Sequence, residues 1–125
     1  MMTLCDTCFL IDLLHGQEGA IDLVRHHQNL RVPTVAIAEF LAGVKRYNVK
    51  QYNQAIGFIN KFEPVPFDNT TAMVFADLYH TMKDKGSSLS ILDAMIASSA
   101  IQWDEKLITR DATLLNTPNL PCITY

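Results

Sequence analysis

A chain of 125 residues is long enough to bury one sizeable core and too short for two, so residues 1–125 are expected to form a single domain. Hydrophobic side chains make up 49% of the chain and charged ones 18%, which excludes a disordered polymer. A formal net charge of −3 argues against a generic basic coat for nucleic acid, unless several of the acids gather around a bound cation.

The opening MMTLCDTCFLIDLL lacks a basic region, and Asp6 and Asp12 interrupt its apolar run, so it does not read as a signal peptide. No run approaches the roughly 20 apolar residues of a membrane span. Three cysteines, an odd number, suit a reducing compartment better than a disulfide framework. The expectation is a soluble, cytoplasmic protein with no membrane partner.

In chain order, Thr3-Leu4-Cys5 is a short apolar strand ending at Asp6-Thr7. An amphipathic helix follows, with Phe9, Leu10, Leu13 and Leu14 as its stripe, until His15-Gly16-Gln17 breaks it. Glu18 to Gln28 reads as a second helix, and Leu30 to Pro33 as a brief strand closed by its proline. Thr34 can cap a helix over Val35 to Lys45, and a more polar helix follows from Asn48 to Lys61. Phe62 to Phe67 reads as a strand, Asn69 to Lys85 as a long amphipathic helix ended by Gly86.

Ser90-Ile91-Leu92-Asp93 has capping-box spacing, and the helix it opens is apolar on almost every face to Trp103, as in a helix covered on all sides. Lys106 to Thr109 is a strand, Ala112 to Leu115 a short helix, and Cys122 to Thr124 a last strand. Strands alternating with helices imply right-handed crossovers and a mainly parallel sheet with helices on both faces. Ligands in such α/β sheets bind beyond the carboxyl ends of the strands.

Asp6 and Asp111 fall just past strand ends. Each also suits a helix N-cap, as Asp93 suits a first helical turn, so capping chemistry alone would select all three. Glu39 is different, because Val35 to Ala42 is apolar on every side of it and no basic residue lies three or four positions away. A glutamate so placed needs a cation, a metal or water in a cleft, unless it simply reaches solvent at an edge. Asp12 and Asp22 read as solvated helix faces, and Asp68, Asp77, Asp84, Asp104 and Glu105 carry no role.

Four acids converging on one crevice repel one another, which raises carboxylate pKa values until a hard divalent cation neutralises them. The chemistry that follows is metal-assisted phosphodiester hydrolysis. Cys5 and Cys8 have redox or half-zinc spacing, but no second pair completes a zinc site, so they read as small core residues flanking Asp6. Arg110, Lys45 and Arg46 are candidates for meeting phosphates.

Four stretches carry a resemblance: Cys5 to Leu14 with its Asp6-Thr7 and Leu10-Ile11-Asp12-Leu13-Leu14, Thr34 to Gly43 around Glu39, Gly86 seven residues ahead of Asp93-Ala94-Met95-Ile96-Ala97, and Leu107 to Asp111. In this order and spacing the sequence resembles the PIN-domain ribonucleases, most closely the VapC-type toxin of VapBC toxin–antitoxin pairs, over nearly its whole length. Ser88 and Ser90 stand where the family often has Pro and Gly.

The resemblance implies a three-layer α/β/α sandwich, Mg²⁺- or Mn²⁺-dependent endoribonuclease activity on RNA, frequent homodimers, and inhibition by a cognate antitoxin. Asp6, Glu39, Asp93 and Asp111 match its acidic quartet, with Asp6 and Asp93 as the metal contacts, and Thr7 and Thr109 match its supporting hydroxyls. A PIN-like binding module without catalysis and a metal-dependent DNA nuclease are the alternatives.

Overall fold

A computed structural model describes residues 2–125; Met1, part of the expected domain, lies outside the described residues. Strands β1 (Thr3–Cys5), β2 (Leu30–Pro33), β3 (Glu63–Val65), β4 (Lys106–Ile108) and β5 (Cys122–Ile123) form a sheet in the order β3-β2-β1-β4-β5. Every neighbouring pair is parallel. Parallel strands need crossovers, and these are helical: α1 (Thr7–Leu14), α2 (Glu18–His26), α3 (Thr34–Lys45), α4 (Val49–Ile59), α5 (Asn69–Asp84), α6 (Ile91–Trp103) and α7 (Ala112–Leu115).

Helix α1 packs against α2 and α3, α3 packs against α4 and α6, and α5 lies along α6. The result is the expected three-layer α/β/α sandwich with a central parallel sheet. Because both faces of the sheet are covered, its strands are apolar toward their carboxyl ends, where Leu4, Cys5, Val32, Val65, Leu107 and Ile108 are buried. Phe9, Phe40 and Ile96 fill the space between helices and sheet. Among the described residues no helix is long and apolar enough to cross a membrane.

The chain winds outward from β1 to β2 to β3, then returns across the sheet so that β4 and β5 extend the other side of β1. The winding therefore reverses between β1 and β4, which is where open α/β sheets leave a crevice at their carboxyl ends. Cys5 pairs with Ile108 in this register, so Asp6 and Thr109 are the first residues beyond the sheet on the two strands.

Three local expectations need correction. Thr34 does not cap α3: the N-cap is Pro33, and Thr34 is the first helical residue, its hydroxyl accepting from the Phe67 N–H at 3.2 Å. Strand β2 runs straight into the helix, and a proline loses nothing at a position whose N–H has no helical partner. The strand expected from Phe62 to Phe67 holds only Glu63–Val65, an edge strand that tolerates Pro64. Helix α6 is covered only in its middle, since Ile91, Leu92 and Trp103 are exposed. A helix of 13 residues spans about 20 Å and strands of three residues about 10 Å, so both its ends overhang the sheet.

Glu105 also departs from its assignment to a polar turn, being 8% exposed and ion-paired with Arg31 at the opposite end of the sheet from the crevice. The Arg31 guanidinium lies 5.3 Å from the centroid of the Trp103 ring, and Arg31 Nε and Glu105 Oε2 are buried without a hydrogen-bond partner. Breaking such a pair leaves an uncompensated buried charge. Glu105→Ala is expected to lower unfolding free energy by about 3–5 kcal/mol in urea, while Arg31→Met with Glu105→Leu recovers most of the loss. An unchanged urea midpoint for Glu105→Ala would show that the pair contributes nothing.

Candidate functional site

The turns that follow β1 and β4, with the start of α6 and the middle of α3, build one cleft. Asp6, Thr7, Glu39, Asp93 and Asp111 line it together. Asp6 is 2% exposed and N-caps α1, one carboxylate oxygen accepting from the Phe9 N–H at 2.8 Å. Its other oxygen accepts from the hydroxyl of the fully buried Thr109. That hydroxyl in turn accepts from the Asp111 N–H at 3.0 Å, so one side chain ties the ends of β1 and β4 to the turn carrying the next acid.

Asp111 N-caps α7, one carboxylate oxygen accepting from the N–H groups of Thr113 at 2.8 Å and Leu114 at 3.4 Å. Ser90 caps α6 by accepting from the Asp93 N–H at 3.1 Å, which holds Asp93 in the first turn. Glu39 enters from α3 and accepts from the Thr7 hydroxyl, joining α3 to the start of α1. The capping reading and the clustering reading thus both hold for Asp6 and Asp111, which cap with one oxygen and still line the cleft.

Their electrostatics show the crowding. Burial pushes the Asp6 carboxyl up from its ordinary 3.8 to about 6, against the pull of its bonds from Thr109 and Phe9, and the charges of Asp93 and Asp111 add to the rise. Burial likewise lifts Asp93, with Asp111 and Glu39 pushing the same way. No ion pair among the described residues engages Asp6, Glu39, Asp93 or Asp111. The donors present are hard carboxylate oxygens without counter-charge, which fits a hard divalent cation.

Among the described residues no three acidic, His or Cys side chains close into a ready chelate. A Mg²⁺-type ion does not demand one, since it keeps several waters and takes one or two carboxylates. The cysteines offer no competing chemistry here. Cys8 lines the cleft, but burial and the charge of Asp6 push its thiol up to about 11, so it stays protonated and a poor nucleophile.

Asp12 and Arg110 need correction. Asp12 is not a solvated helix face: it receives Arg110 Nε at 2.6 Å, Arg110 Nη2 at 3.3 Å and the Tyr125 hydroxyl at 2.5 Å. The guanidinium, first among these partners, holds the Asp12 carboxyl below its ordinary range. The Tyr125 ring meets Phe9 edge-on, with centroids 5.3 Å apart. Arg110 is therefore engaged with Asp12, next in sequence to Asp111, while Arg46 is the arginine that lines the cleft. Neighbours in sequence foretold none of this, because Asp12 and Arg110 lie 98 positions apart. Sequence reasoning also missed the non-acidic half of the cleft, where His15, Gly43, Tyr47, Gln51 and Gln54 stand.

Residues 3–120 match the PIN domain family. A chain of VapBC2 from Rickettsia felis, solved bound to a DNA fragment from its promoter, superposes with a TM-score of 0.87 at 20% identity, covering 100% of this chain and 99% of that one. A chain of the DNA-bound VapBC from Salmonella typhimurium gives 0.86 at 17% identity, covering 99% and 98%. A toxin–antitoxin complex from Klebsiella pneumoniae gives 0.81 at 23% identity, covering 98% and 96%. No curated protein sequence matches. The likeness to these structures establishes a shared fold, and the family match spans all five strands but the last, with the whole acidic cleft inside it, so the chain belongs to the PIN domain family.

Proposed function

We propose that this chain is a Mg²⁺- or Mn²⁺-dependent endoribonuclease, the toxin of a type II toxin–antitoxin pair, cleaving single-stranded or looped RNA whose bases are accessible. The observation that supports the reading is the meeting of Asp6, Glu39, Asp93 and Asp111 on one cleft, with no cation among the described residues paired to them. Such a set is expensive to keep in an empty fold and inexpensive around a divalent ion.

In this reading Asp6 and Asp93 hold the metal directly or through water. A carboxylate oxygen has two acceptor sites, so the bonds of Asp6 to Phe9 and Thr109 still leave lone pairs for it. Bound there, the ion supplies a water of lowered pKa and charge stabilisation at the scissile phosphate. Glu39 and Asp111 complete the cluster, one of them orienting the attacking water. Thr109 fixes Asp6 and Asp111 relative to each other, and Thr7 fixes Glu39.

The solved structures of this fold reported above include toxin–antitoxin complexes, which supports a cognate antitoxin as partner. A cytoplasmic location goes with this reading, and exposed apolar side chains such as Met73 on α5 offer a face for a homodimer. Asp6→Asn retains an oxygen for the Phe9 cap, so it is expected to fold and to reduce cleavage of total RNA to the level of an EDTA control. Undiminished cleavage by that variant contradicts the assignment. Cleavage of DNA and not RNA under the same conditions selects the DNA nuclease. Absence of cleavage with Mg²⁺ and Mn²⁺ selects the silent binding module.

The raised Asp6 carboxyl has a stability consequence. Between pH 4 and about 6 the Asp6 carboxyl binds more protons in the folded protein than in the unfolded chain, so its contribution to stability is fully present below 3.8 and is lost as pH rises through about 6. A shift of this size corresponds to about 3 kcal/mol. In EDTA near pH 8, Asp6→Asn is therefore expected to be more stable than the unsubstituted protein by about 1–3 kcal/mol, an advantage that disappears near pH 4. Equal stability of the two proteins at both pH values would show that the Asp6 carboxylate is not under electrostatic load.

A further inference from the structure

The cleft is larger than a metal site requires. Its volume is about 820 Å³, and the four carboxylates are only part of its lining. The rest is walled on one side by α1 and the turn after it, with Ile11, Leu14 and His15, and on the other by the outer half of α3, the turn after it and the start of α4, with Gly43, Arg46, Tyr47, Gln51 and Gln54. On α3 these continue the line of the acid, because Glu39, Gly43 and Tyr47 recur every four residues and share one side of the coil. Helical backbone persists through Arg46, and Tyr47 N–H closes on the Val44 carbonyl at 3.0 Å. At 1.5 Å per residue, Tyr47 stands about 12 Å along the axis from Glu39. That is too far to touch the reacting phosphate and suits a neighbouring nucleotide.

Two features of this end are unexplained by folding. Gly43 sits inside α3, where glycine weakens a helix relative to alanine, yet a Cβ built there meets nothing within 4 Å. No packing of the protein excludes a side chain at this point; what the missing side chain leaves open is the floor of the cleft between the acids and Tyr47. Tyr47 itself is 64% exposed, a large aromatic ring left in water. The Arg46 guanidinium carbon lies 5.6 Å from its centroid, so a cation stands beside the ring. A ring face, a cation and the two amide side chains of Gln51 and Gln54 are the set that recognises an unpaired base and its phosphate.

We propose that Gly43, Arg46 and Tyr47 form a nucleotide subsite: an unpaired base of the substrate RNA stacks on the Tyr47 ring, its phosphate meets Arg46, and the strand crosses the open floor at Gly43 to reach the carboxylates. This rests on the nuclease reading and deepens it, by assigning substrate grip to α3 and its following turn and bond breaking to the acids. The placement also answers a charge problem. RNA phosphates approaching four carboxylates are repelled, and Arg46 is the arginine that the cleft offers at the far end to hold the strand in place.

The test is steady-state cleavage of a short, mixed-sequence single-stranded RNA carrying a fluorophore and a quencher, with Mn²⁺. Tyr47→Ala is expected to raise KM about 5- to 150-fold, the range of one lost base stack, with kcat little changed. Tyr47→Trp keeps a ring and is expected to restore KM. Gly43→Val, which puts a branched side chain on the floor, is expected to raise KM with an unaltered circular dichroism spectrum. Unchanged KM for Tyr47→Ala and Gly43→Val overturns the subsite and leaves this surface to a protein segment. If the unsubstituted protein does not cleave, the nuclease reading fails separately, and anisotropy binding of the same RNA with Mg²⁺ decides the subsite. Weaker binding by Tyr47→Ala supports it; equal binding, or none by either protein, overturns it.

Discussion

The hydrogen bond from the Thr109 hydroxyl to the Asp6 carboxylate is the contact on which the cleft depends. It joins residues 103 positions apart, one step beyond the paired ends of β1 and β4, at the point where the winding of the sheet reverses. Thr109 is fully buried, and its one hydroxyl both donates to Asp6 and accepts from the Asp111 backbone. Two of the four acids are therefore held at fixed separation by a single side chain. The sheet order makes this possible, because β1 connects onward to β2 on one side while its neighbour β4 connects onward to β5 on the other.

Local structure offsets part of the cost of gathering charge. Asp6 and Asp111 cap helices and accept from orphan N–H groups, and Asp93 lies in the first turn of another helix, near the positive end of its dipole. These contacts favour the charged form, yet burial and mutual repulsion still push Asp6 and Asp93 upward. The balance is a fold that tolerates its cleft without being relaxed in it. A bound divalent cation would relieve the remaining load, so ion binding at this cleft would raise stability by removing the same repulsion.

How much of this the chain declared in advance follows from the range of each interaction. Strands β1 and β2 were legible because short apolar runs ended at Asp6 and Pro33, and Glu39 was legible because a charge inside an apolar helix has few outlets. Asp93 and Asp111 were ambiguous for a physical reason: a helix start selects the same residue whether it caps, lines a site or does both. The Asp12, Arg110 and Tyr125 network and the Arg31–Glu105 pair were hidden, since partners 98, 113 and 74 positions apart leave no periodic trace. Exposure at the ends of α6 was hidden as well, because apolar composition does not reveal how far a helix overhangs the sheet beneath it.

The central claim is that the four carboxylates face a common divalent ion. Calorimetric titration of the protein with Mn²⁺ tests it most directly, because the heat reports binding whether or not any substrate is known. Saturable binding that Mg²⁺ displaces, and that weakens when Asp93 is replaced by Asn, is the predicted result. Heats no larger than dilution, or an isotherm identical in the Asp93→Asn protein, would contradict the account.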